Sequence, residues 1–313
     1  MIDEKVLLIS HIADEDGITP VILTNLVYKE VDTILINPGE VDENLIQNID
    51  KYNLIYIIDL SITENLAKKL EEVEEYKNKI KLFDHHSTAL PLNKYSFAKV
   101  IVENNDKKES GTTLFYKYLL TISDNEILKK KSTKGLIEQV RVVDTYDFKK
   151  EEDKEALNLD YLFAILGREN YITYFTDYIK IHDKFEYTEK EKFLIKLQKD
   201  KVDNYITQKE KEVIFANVDS YKVAIVFAES NRSILGNHLT EKYDIDFAII
   251  INISKGISYR GKGKVDLSVF ASNYGGGGHK NASGSKISNE IREDTIKKIF
   301  KKVEIIKEEN KNE

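Results

Sequence analysis

Acids and imidazoles in this chain gather directly after short apolar runs. SHIADEDG (residues 10–17) follows KVLLIS (5–10), Asp59 closes LIYIID (54–59), and FDHHS (83–87) follows IKLF (80–83). In an open parallel sheet the carboxyl ends of the strands face one crevice. His11, Asp14, Asp16, Asp59, Asp84, His85 and His86 are therefore expected at one edge. Imidazole with several carboxylates and no thiolate suits manganese or magnesium better than structural zinc. The donors outnumber what one ion needs, so two ions are expected, a pair able to generate hydroxide and clamp phosphoryl oxygens. Taken alone, DEDG could be an acidic turn and DHH a capped loop; their joint recurrence at successive strand ends carries the inference. VVDTYDF (142–148) offers a further acid: Asp144 follows VRVV and should leave a buried surface, whereas Asp147, one turn along, is expected in solvent.

A second concentration is YGGGGHKNASG (274–284). Glycine lets backbone approach a ligand closely and turns successive N–H groups into an anion nest. Gly276, Gly277 and Gly278, with His279 after them, predict a phosphate cradle, the plainer alternative being a flexible hinge.

The elements that must position these groups point to an α/β fold. Short β-branched runs, including DTILIN (32–37) and FAKVIV (97–102), alternate with helical patterns, as in a buried parallel sheet. Thr19-Pro20 reads as a helix start and TENLAKKLEEVEEYKNK (63–79) as one helix capped by Thr63. From about 111 to 216 the pattern is helical and charged; KVAIVFA (222–228), DFAIIINI (246–253) and GISYRG (256–261) then open a second α/β pattern. The expected organisation is an N-terminal parallel-sheet domain (1–185), a helical linker (186–216), a smaller C-terminal α/β substrate-binding domain (217–305) and a charged tail (306–313).

Composition narrows the partners. The chain has 313 residues, 47 basic and 54 acidic side chains and a net charge of −7, which argues against gripping long nucleic acid along a basic groove. Zero cysteines leave metal binding to histidine and carboxylate. No apolar run reaches the roughly 18–20 residues of a membrane span, and MIDEKVLLIS has acids where a signal peptide needs bases, so the cytoplasm is expected. Nothing in the sequence speaks to oligomeric state.

SHIADEDG, IIDLS, FDHHS and VVDTYDF resemble, in order, the metal motifs of the DHH phosphoesterase superfamily, and residues 257–284 resemble the signature of its associated C-terminal domain, with Arg260 and His279 at functional positions. In the commonest first motif the aspartates stand four and six residues after the histidine; here Asp14 and Asp16 stand three and five after His11. The two-domain form is similar to nanoRNases and to phosphodiesterases acting on cyclic-dinucleotide products; some relatives act on phosphoadenosine phosphate. The resemblance implies that His11, Asp14 and Asp59 hold one divalent ion, most simply Mn2+ with Mg2+ as the alternative, and that Asp16, Asp59, His85 and Asp144 hold the other. It further implies that Asp84 orients a histidine, that His86 positions or protonates the scissile phosphate, and that Arg260, Gly276, Gly277, Gly278 and His279 hold a short oligonucleotide or nucleotide between the domains. A pyrophosphatase, a single-strand DNA exonuclease and a non-catalytic nucleotide sensor are the competing expectations.

Overall fold

The computed structural model describes residues 1–145, 147 and 157–300; the predicted tail at 306–313 lies outside them. The chain divides into two compact units, Met1–Lys199 and Asp200–Glu313.

In the first unit, strand β1 (Ile2–His11), helix α1 (Glu15–Val27), β2 (Tyr28–Ile36), α2 (Val41–Asn48), β3 (Leu54–Ile58), α3 (Glu64–Glu71), α4 (Glu74–Lys79), β4 (Ile80–Asp84) and β5 (Ala98–Val100) follow in order. A two-stranded ribbon, β6 (Glu103–Asn104) and β7 (Lys107–Lys108), leads into α5 (Gly111–Ile122), α6 (Glu126–Lys129), α7 (Lys131–Thr145) and α8 (Asn158–Ile181). The main sheet has the order β2-β1-β3-β4-β5 with every pairing parallel. Helices cover both faces, which explains why the strands read as continuous apolar runs. Leu7, Ile9, Ile55, Ile57 and Leu82 join one core with Leu45, Leu66 and Leu70 of the helices on that face. Tyr56 and Phe83 point the other way, against Phe115 of α5.

Helix α1 is buried along nearly its whole circumference and packs against α5, α7 and α8. It begins earlier than Thr19-Pro20 suggests: Asp14 is the cap, accepting from Gly17 N at 3.1 Å, and Pro20 lies inside the helix. An internal proline deprives the carbonyl four residues back of its donor. That carbonyl belongs to Asp16, and Thr112 Oγ1 of α5 donates to it at 2.6 Å. The predicted helix 63–79 is capped by Thr63 as expected but breaks into α3 and α4 around Val73.

Helix α9 (Glu189–Glu210) runs through the division between the units, inside the predicted linker 186–216. It is not a solvated rod, since Ile195, Val202 and Ile206 are buried. The second unit continues with β8 (Ile214–Val218), β9 (Tyr221–Phe227), α10 (Arg232–Lys242), β10 (Phe247–Asn252), β11 (Gly256–Gly261), α11 (Leu267–Ser272), β12 (Gly277–His279), β13 (Ala282–Ser285) and α12 (Asn289–Ile299). Its sheet runs β12-β13-β11-β10-β9-β8, with β9 and β10 parallel and the other neighbours antiparallel. Phe247, Tyr259, Leu267 and Phe270 anchor its core.

Candidate metal centre

The carboxyl ends of β1, β3 and β4 bring their acids and imidazoles together, and α7 adds Asp144. One group of potential metal donors is His11, Asp14 and Asp59; another is Asp16, His85 and Asp144; a third joins Asp59 to Asp84, His85 and His86. His11 Nδ1 lies 3.1 Å from Asp14 Oδ2 and 3.2 Å from Asp59 Oδ2. His85 Nε2 lies 3.2 Å from Asp59 Oδ1, 3.4 Å from Asp144 Oδ2 and 3.9 Å from Asp16 Oδ2. Asp59 therefore faces His11 with one oxygen and His85 with the other.

Backbone amides hold three of the acids, Asp14, Asp16 and Asp84. Asp14 caps α1 through Oδ1 and turns Oδ2 to His11, a double use that suits the short first loop. Asp16 accepts from Gly111 N at 2.7 Å through Oδ2 and from Thr112 N at 2.9 Å through Oδ1, so the first turn of α5 clamps both oxygens. Asp59 leaves β3 with φ of 54°, in the left-handed region that side chains seldom adopt. Asp84 Oδ1 accepts from His85 N, His86 N and the His86 Nδ1 edge at 2.7, 3.1 and 2.8 Å, so the histidine it orients is His86.

The charges of the cluster shift one another strongly. Burial alone would lower the His11 imidazole, but Asp14 and Asp59 outweigh it and hold it at about 10. Burial opposes His85 likewise, and Asp59, Asp144 and Asp16 hold it at about 11. Burial raises Asp59, yet the imidazoles of His11 and His85 keep it below the usual carboxylate range. Asp16 is pushed up to about 6 and Asp144 well above its ordinary value, first by burial and then by neighbouring carboxylates. Asp59 Oδ1 and Asp144 Oδ2 are buried without an aligned hydrogen bond. Such atoms are costly unless something else satisfies them. Oxygen and nitrogen donors with two orphaned carboxylate oxygens fit divalent ions.

Glycines back the donors, which the sequence reading missed. A Cβ on Gly17 would stand 2.0 Å from His11 O and 2.7 Å from His11 Cβ. A Cβ on Gly111 would stand 2.9 Å from both the N and the Cβ of Asp59. DEDG draws notice for its acids, and SGTT at residues 110–113 looks only like a helix start, so nothing local reveals what either glycine touches. Asp147, expected in solvent, instead pairs with Arg141 Nη1 at 2.7 Å.

In the second unit, Arg260 Nη2 donates to Ser233 Oγ at 2.7 Å and Nη1 to Tyr259 O at 2.9 Å, and Gly236 abuts its stem, a Cβ there meeting Arg260 Cγ at 2.6 Å. The glycine run is not a free loop: Gly277, Gly278 and His279 form β12 on the edge of the sheet. Packing explains Gly276 and Gly278, whose Cβ atoms would meet Gly284 O at 2.0 Å and Ser283 Cα at 2.7 Å. A Cβ on Gly277 meets nothing within 4 Å among the described residues, so crowding gives no reason for that glycine.

Residues 207–306 match the DHHA1 domain. Oligoribonuclease NrnB of Bacillus subtilis (strain 168) is 33% identical over 257 residues, 80% of this chain and 64% of that protein. The chain is similar to the DHH phosphoesterases through this domain and this relative. It spans less than two thirds of that relative's length. Two solved structures share the fold: a DHH domain from a member of a ribosomal-protein family (TM-score 0.52, 16% identity, 94% of this chain and 85% of that one) and an exopolyphosphatase-related protein from Bacteroides fragilis (TM-score 0.51, 15% identity, 94% and 91%). Among the described residues no helix is long and apolar enough to cross a membrane.

Proposed function

We propose that this chain is a divalent-metal-dependent phosphodiesterase that hydrolyses dinucleotides and similarly short oligonucleotides, including linear products of cyclic-dinucleotide breakdown, to nucleoside 5′-monophosphates. The observation that carries this reading is Asp59, whose two oxygens face two separate donor groups. Two ions, Mn2+ by the hardness of the donors or Mg2+, would supply an activated water and a clamp on the phosphoryl oxygens.

The chain's own residues do the remaining work. Asp59 serves both donor groups, and α5 keeps Asp16 from swinging away. Asp84 holds the Nδ1 edge of His86 and so orients the ring for contact with the scissile phosphate or its leaving oxygen. In the second unit Arg260, oriented by Ser233, and His279 hold the substrate, and Gly277 leaves room for close backbone approach. The oligoribonuclease relative supports the substrate class, and a net charge of −7 agrees with a short substrate.

The test is to strip the protein with a chelator, resupply Mn2+, and offer separately a dinucleotide, phosphoadenosine phosphate, inorganic pyrophosphate and a long DNA single strand. Mononucleotides from the dinucleotide at the highest kcat/KM are expected. Turnover of pyrophosphate alone, or of none of the four, would overturn the reading.

A further inference from the structure

Arg141 stands one turn before Asp144 in α7 and is only 4% exposed. Its Nε and Nη2 donate to the Glu138 carboxylate, with Nη2 at 2.9 Å, while Nη1 reaches both Lys108 O at 3.1 Å and Asp147 Oδ2 at 2.7 Å. The β6–β7 ribbon, turned by Asn105 and Asp106 at φ of 52° and 59°, lies against the same turn of helix. Lys107 Nζ bonds Glu138 Oε2 at 2.8 Å, and Lys108 Nζ caps the Thr145 carbonyl at 3.1 Å.

The chain leaving that ribbon becomes, within three residues, the turn of α5 that clamps Asp16 and abuts Asp59. One continuous stretch, 103–112, is thus fastened to α7 at one end and to two metal-facing acids at the other. Asp144 Oδ2 has no aligned hydrogen bond of its own, so its position follows from the backbone of the last helical turn.

We propose that Arg141 is a positioning residue: through Asp147, Glu138 and the β6–β7 ribbon it fixes the last turn of α7 and so sets the Asp144 carboxylate against His85 and Asp16. The proposal rests on the two-ion reading above. It assigns Arg141 no contact with substrate, and so predicts a loss specific to the ion that Asp144 faces. Outer partners of metal ligands commonly contribute 10- to 100-fold in affinity.

The experiment counts Mn2+ and measures each affinity by calorimetry in wild type, Arg141→Ala, Arg141→Lys and Asp147→Asn. Melting of the metal-free proteins is followed alongside, and kcat and KM for a dinucleotide are measured across Mn2+ concentrations. In Arg141→Ala one ion is expected to weaken by ~10- to 100-fold while the other is unchanged. Its kcat should recover as Mn2+ is raised, with KM unmoved. Asp147→Asn should weaken the same ion by less, and Arg141→Lys should fall between wild type and alanine, because an ammonium cannot span all three acceptors. If Arg141→Ala does not fold, Asp147→Asn decides by the same criterion. Two ions bound at wild-type affinity in the variants, or equal weakening of both, would overturn the positioning role while leaving the two-ion site standing. A wild type that binds fewer than two ions would overturn the two-ion reading and this proposal with it.

Discussion

Replacing Gly111 with alanine should damage catalysis as well as the fold. The added Cβ would sit 2.9 Å from the Asp59 N and Cβ and 3.0 Å from its Cα. Carbon atoms in good contact are about 3.5–4.0 Å apart, so Asp59 and α5 must separate by roughly 0.5–1 Å. Productive sites tolerate about 0.5 Å, and a 1 Å misplacement costs on the order of 100-fold in rate, or ~2.7 kcal/mol. Moving α5 outward would also stretch the 2.7 Å bond from Gly111 N to Asp16. Stability should fall by about 1–3 kcal/mol, as overpacking usually costs. Gly135→Ala supplies the control: its Cβ would meet Phe185 Cβ at 2.4 Å, a worse clash, yet it lies nine residues before Asp144, about 13 Å along the same helix. Both variants and wild type would be compared by dinucleotide turnover at saturating Mn2+ and by thermal unfolding. The expected pattern is two destabilised proteins of which only Gly111→Ala loses about 100-fold in kcat/KM. Turnover of Gly111→Ala within threefold of wild type, or an equal loss in Gly135→Ala, would refute the argument that Gly111 exists to seat Asp59.

Asp59→Asn keeps a side chain that tolerates the left-handed backbone but removes the shared charge, and should lower kcat by at least 1,000-fold, about 4 kcal/mol; measured turnover within tenfold would sink the bridging role. Activity removed by a chelator should return best with Mn2+, so full recovery with zinc and none with manganese would contradict the donor-hardness argument. Arg260→Ala and His279→Ala should each retain wild-type manganese content while losing roughly ten- to a hundredfold in kcat/KM on a dinucleotide, the value of a charge-assisted phosphate contact. A small generic phosphodiester should lose less, and equal losses on both substrates would remove these residues from substrate binding.

The alternation of strands and helices in the first unit is legible because β1, β3 and β4, buried in their central residues, print as short apolar runs, and the motif residues follow those runs directly. What stays hidden depends on distant partners. Thr19-Pro20 satisfies the local rules for a helix start, yet Pro20 is tolerated inside α1 because Thr112, 96 positions from Asp16, supplies the missing donor. Asp147 reads as a surface acid until Arg141 is seen beneath it. Gly17 and Gly111 carry no side chain from which to infer a role, and their meaning lies wholly in what fills the space beside them. Gly276 and Gly278 teach the reverse: a run that looks made for a ligand is partly required by the strand it pairs with.

The backbone at Asp59 also limits how this site can decay. With φ of 54°, the position admits aspartate, asparagine and glycine at little conformational cost and penalises branched or bulky residues. A substitution that kept the fold would be drawn to asparagine or glycine here, and not to alanine or valine. Loss of function at this position would therefore carry a readable signature, set by geometry before any chemistry is considered.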